Sequence, residues 1–97
     1  MSAAGMSPST HQLPARCHRD AADAMLPLLR DGIAAGAVAI DGGEVTQLGQ
    51  AMLQLLLSAR KTAANRGVAF AITASDAMRA ALASAGAEYL LDESIGR

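Results

Sequence analysis

The stretch VAIDGGEVTQLGQAMLQLLLSARKTAANRGVAFAI, Val38 to Ile72, decides the fold. It reads as a strand, a turn-rich loop, a long helix and a second strand. AVAID, Ala37 to Asp41, is a short apolar run ending in an acid. Its length and flanking glycines favour a buried strand. GGEVTQLG follows as a loop, with Val45 and Leu48 turned inward. From Gln50 to Arg66 the spacing becomes helical. Met52, Leu56, Ala59 and Ala63 make one apolar stripe, and Leu53, Leu57 and Ala64 a neighbouring one. Gln50, Gln54, Ser58, Lys61 and Asn65 form the opposite, polar stripe. Gly67 ends the helix by accepting a left-handed conformation. VAFAI, Val68 to Ile72, is the second central strand.

On the amino-terminal side, residues 1–10 read as a flexible tail without the basic start and apolar centre of a signal peptide. THQLPARC, Thr10 to Cys17, is short and irregular, and Pro14 limits it to an edge strand or a strand end. From Asp20 a helical stripe runs through Ala22, Met25, Leu26, Leu29 and Ile33. Asp20 is the expected N-cap, and Asp23 adds negative charge to the first turn. Pro27 removes a helical hydrogen bond, so a kink is expected there, with the helix ending near Gly32 or Gly36. On the carboxy-terminal side, SDAMRAALASAG is a third helix. Ser75 caps it, Met78, Ala81, Leu82 and Ala85 pack, and Gly86 ends it. EYLL adds a short strand or a docked tail, and 93–97 is a terminal tail.

The element order is therefore β-α-β-α-β-α with short connections. It predicts an α/β fold of one domain, residues 11–92, with a small, largely parallel sheet covered by three helices. Composition agrees. A chain of 97 residues suits one core, and it is 52% hydrophobic with two aromatic residues, Phe70 and Tyr89. Small side chains let helices lie close to a sheet. The net charge of −1 argues against a nucleic-acid footprint, which needs a basic stripe. The single cysteine, Cys17, cannot form an internal disulfide, which points to a reducing, cytoplasmic compartment. No apolar run approaches the ~20 residues of a membrane span.

The chain from about Leu13 to Asp92 resembles a STAS domain, the sulfate transporter and anti-sigma factor antagonist family. That family reads as a strand ending in Asp, a Gly-Val turn, then Asp-Ser-Ser-Gly opening a helix of the form Leu-x-x-Leu-Leu, then a Gly and another strand. Laid without gaps from Asp41, the pattern puts Val45 on the turn valine and Leu48 on the apolar residue before the motif. Leu53, Leu56 and Leu57 take the helix leucines, and Gly67 the glycine before the strand. SDAMRAALASAGAEYLL resembles the closing helix. The departure is at Asp-Ser-Ser-Gly, which becomes Gly49-Gln50-Ala51-Met52. The family's phosphorylated serine falls on Gln50, which has no hydroxyl. Phosphorylation of that serine adds about −1.5 to −2 charges at the helix start and blocks binding to the partner kinase. Gln50 cannot acquire that charge, so the resemblance implies a surface that stays competent to bind.

Other reactive groups are weaker candidates. Thr46 is the nearest alternative phosphoacceptor, several residues before the helix. Cys17 and His18 are adjacent, and adjacent side chains in an extended chain diverge, so a small apolar cysteine under the first helix is the better reading. His11 and His18 are too few for a structural metal site, which usually wants four ligands. Met25, Met52 and Met78 read as core. DGGEV has neither the spacing nor the lysine of a phosphate-binding loop. The absence of a convergent catalytic group favours a non-enzymatic module without cofactor or metal. The resemblance implies a signalling role, with Gly49, Gln50, Ala51 and Gln54 as the recognition edge. It implies a protein partner: a histidine-kinase-like anti-sigma factor, a chemotaxis component or a transporter component. The alternatives are an accessory subunit of a lipid-transport system, or an anion- or ligand-sensing domain using the same helix N-terminus.

Overall fold

The computed structural model describes residues 9–91 and 94–95, with backbone alone at positions 9, 94 and 95. The element order is β1 (Ser9–Gln12), β2 (Arg16–Cys17), α1 (Arg19–Ala35), β3 (Ala37–Gly42), β4 (Gln47–Leu48), α2 (Gln50–Asn65), β5 (Ala69–Ala74), α3 (Asp76–Ser84), a 3-10 turn (Glu88–Leu91) and β6 (Ser94–Ile95). The main sheet has the order β1-β3-β5-β6. β3 pairs in parallel with β1 on one side and with β5 on the other, and β6 is antiparallel to β5. The two predicted central strands are therefore parallel neighbours, with Val38 beside Phe70 and Ile40 beside Ile72. The sheet is a mixed one with three parallel strands, as the element order predicts.

Alternation along the strands separates two faces. Val38, Ile40, Phe70 and Ile72 are buried and join Met25, Leu29, Met52, Leu56 and Leu90 in one core. The opposite face carries Ala37, Ala39, Ala69 and Ala71, all half-buried, and the exposed Thr73. α1 and α2 pack against each other, α1 over β3 and α2 over β5. The expected α2 stripe holds, since Met52, Leu53, Leu56, Ala59 and Ala63 are its buried residues. Leu57 and Ala64 are half-buried at its margin.

α1 departs from expectation at its start. His18, not Asp20, is the N-cap, and Asp20 lies in the first turn. The cause is non-local: β2 pairs with β4 up to Cys17, which fixes the residue at which the chain turns. α1 runs through Pro27 as one helix to Gly36, whose φ of 106° ends it. Pro27 has no N–H for the Asp23 carbonyl, and both residues are exposed, so water can serve that oxygen. Gly36, rather than Gly32, is the stop; Gly32 is buried inside the helix.

The carboxy-terminal end of β3 is a junction. The Gly42 carbonyl accepts from Val45 N and from Ser75 N, each at 3.1 Å. A Cβ on Gly42 would lie 2.5 Å from Met78 Sδ and 3.0 Å from the Thr73 carbonyl oxygen, so a side chain there would make the Met78 thioether move. Ser75 caps α3 as predicted, accepting from Met78 N at 3.0 Å. Its hydroxyl also donates to the Val45 carbonyl at 2.6 Å, which locks the β3–β4 loop to the helix start. α3 is shorter than expected. It stops at Ser84, leaving Ala85 exposed as its C-cap, and Ala87 enters the core instead. EYLL docks as the 3-10 turn through buried Leu90. Part of each expected tail is strand: β1 starts at Ser9, and β6 falls inside 93–97. Residues 1–8 of the expected amino-terminal tail lie outside the described residues.

Candidate functional site

Two strand-to-helix junctions stand side by side. β2 leads into α1 and β4 into α2, and the two short strands pair in parallel, Arg16 with Gln47 and Cys17 with Leu48. The pairing continues past the strands. Gly49 N donates to the Cys17 carbonyl at 2.7 Å. The backbone nitrogens of Thr46 and Gln47 converge on the Ala15 carbonyl at 2.7 and 3.0 Å. His18 Nε2 donates to Gln47 Oε1 at 3.2 Å, bridging the two junctions at the surface. The start of α2 is thus braced by backbone bonds to the start of α1.

Each residue expected at the recognition edge has a distinct setting. Gly49 is the N-cap of α2, with φ −79° and ψ 164°, and supplies no capping side chain. A Cβ there would stand 2.7 Å from the Cys17 carbonyl oxygen. The close approach that glycine permits at this position is therefore made by the chain itself. Gln50 and Gln54 are exposed, one turn apart, and Ala51 is half-buried against the core. Gln50 is the first residue of α2, and the first turn carries no acid. No side chain of the first turn therefore neutralises the positive end of the helix dipole.

Thr46 is not brought into the helix start. Its hydroxyl donates to the Ala15 carbonyl at 3.0 Å, a bond that holds the loop against β2. Cys17 is fully buried, its thiol donating to the Pro14 carbonyl at 3.3 Å. Burial pushes the Cys17 thiol above its ordinary pKa, because the thiolate would lose its hydration. The reactive form of a cysteine is the thiolate, so this one is suited to packing. Sequence reading did not place His18 and Gln47 in the site. Periodicity cannot reveal a pairing of two residues with two others thirty positions away.

Among the described residues, no three His, Cys, Asp or Glu side chains gather as metal ligands would. No helix among them is long and apolar enough to cross a membrane. No protein-family model, curated protein or solved structure matches the chain.

Proposed function

We propose that the chain is a non-enzymatic interaction module that binds a protein partner through the start of α2. It works in the manner of a STAS-like anti-sigma factor antagonist whose switch serine is replaced by Gln50. The observation that carries this reading is the setting of Gln50 and Gln54. Both amides project from a helix start that is braced to its neighbour by Gly49 N to the Cys17 carbonyl. An exposed, neutral, polar strip on a rigid base suits recognition, because the backbone beneath it has little conformational entropy left to lose on binding. Gln50 offers both a donor and an acceptor, and no kinase can charge it. The partner is a kinase-like anti-sigma factor, a chemotaxis protein or a transporter component, and binding does not depend on phosphorylation.

The test is affinity capture from native lysate with two baits, wild type and Gln50→Glu, quantified by mass spectrometry. A protein of one of these three kinds should be enriched by wild type and depleted by at least about fivefold with the variant, equivalent to ~1 kcal/mol. Equal recovery of every captured protein by both baits would contradict the reading.

A further inference from the structure

A second surface lies further along the same two helices. There α1 and α2, from Leu26 to Ile33 and from Leu55 to Arg66, leave an open groove of about 450 Å³ between them. Its lining is mixed: Leu26 on α1 and Leu55 on α2 offer aliphatic surface beside Arg30, Ser58, Thr62 and Arg66, while Leu29 and Ile33, which also line it, are buried. Leu26 is 38% exposed. A second hollow lies across α2 and shares Ser58 with the first; Arg60, Lys61 and Tyr89 line it. The Arg60 guanidinium stands 5.2 Å from the Tyr89 ring centroid, and that ring is 49% exposed.

The charge distribution is asymmetric. The chain carries eight basic and nine acidic residues. Two basic residues line each hollow, four in all, and among the described residues no acidic one lines either. α2 itself contains no Asp or Glu from Gln50 to Asn65. A nearly neutral protein has thus placed half of its cations around one trough, made of two hollows that meet at Ser58.

We propose that this trough is a docking site for an acidic amphipathic helix of a partner protein. An aliphatic row of that helix fills the groove between α1 and α2. Carboxylates on its flanks meet Arg30 and Arg66, and further carboxylates face Arg60 and Lys61 across the Ser58 ridge. A groove with Leu26 on one helix and Leu55 on the other suits a row of side chains read at helical spacing. A nucleic-acid backbone has no aliphatic row to place in the groove. A bilayer surface is too flat to fill it. Charge complementarity sets orientation and rejects basic partners. Arg66 follows the end of α2, about 24 Å along the axis from Gln50, so the trough reaches well beyond the α2 start, although Gln54 lines the second hollow.

The experiment is a titration of the full ¹⁵N-labelled chain, followed by amide chemical shifts. The first probe is a synthetic helical peptide with Leu at i, i+3, i+4 and i+7 and Glu at the flanking positions. The second has Lys for every Glu. Phosphatidylglycerol vesicles and duplex DNA are the third and fourth. The acidic peptide should move the amides of Ile33, Leu55, Ala59 and Thr62 and leave Gln50 in place. The double variant Arg30→Gln, Arg66→Gln should bind it about tenfold more weakly, and added salt should weaken wild-type binding as well. Both arginines are exposed, so the variant should keep the native spectrum. Absence of shifts, equal binding of the Lys peptide, or full affinity in the double variant would overturn the proposal. Binding of vesicles or DNA in preference to the acidic peptide would overturn it too.

Discussion

Gly49 N donates to the Cys17 carbonyl at 2.7 Å, and a Cβ on Gly49 would stand 2.7 Å from the same oxygen. The bond that braces α2 against α1 therefore requires the absence of a side chain. The backbone at Gly49 has an ordinary φ of −79°, so the requirement is one of space alone. Gly49→Ala should cost about 1–3 kcal/mol, as the two junctions move apart to admit a methyl group. Urea unfolding measures this, and an unchanged midpoint would show that the junction yields freely.

Leu56 has no exposed surface and sits at the centre of the apolar stripe of α2. Leu56→Ala removes three buried carbons and leaves a cavity facing the sheet. The expected loss is about 2–5 kcal/mol, a large share of the stability of a domain this size. Leu57→Ala, at the half-buried margin, should cost clearly less. Similar losses from both would mean that the helix faces the sheet differently.

Ser75 Oγ gives a proton to the Val45 carbonyl and takes one from Met78 N. Ser75→Ala breaks both bonds and should cost about 1–2 kcal/mol, while Ser75→Thr should recover most of it. Thermal unfolding of the three proteins reads the order directly. A Thr variant as unstable as the Ala variant would refute a role for the hydroxyl.

Cys17 should react with a thiol-specific reagent only as fast as the chain unfolds, because its sulfur is buried. Its folded pKa is raised by desolvation, so the folded state holds the thiol proton more tightly than the unfolded state does. The stability contribution is whole below the ordinary thiol range. It falls as pH rises through that range toward the folded value. Cys17→Ala should flatten that alkaline decline when stability is measured against pH, and an unchanged decline would assign it to other groups.

The parts of the fold legible in the sequence were those carried by continuous local pattern. Val38, Ile40, Phe70 and Ile72 announce buried strands because apolar side chains recur over a strand's length. Met52, Leu56, Ala59 and Ala63 announce the buried side of α2 by helical spacing. The start of α1 was not legible. It is set by Cys17 pairing with Leu48, and two-residue strands leave no periodic trace. His18 is the N-cap for that reason, although Asp20 has the better capping side chain. Of the site, the exposure of Gln50 and Gln54 followed from their place on the polar stripe. The role of Gly49 did not, since the atom it makes room for belongs to a residue far away in sequence.

The central claim is that the start of α2 recognises a protein partner while Gln50 stays uncharged. Gln50→Glu places a permanent negative charge at the first residue of α2. A carboxylate in the first turn is favourable to the helix, so stability should be unchanged or rise by a few tenths of a kcal/mol. Isothermal titration of wild type and Gln50→Glu against the captured partner is the direct measurement. The account predicts a Kd at least about fivefold weaker for Gln50→Glu, with a folded variant and the same stoichiometry. Equal dissociation constants for the two proteins would contradict it.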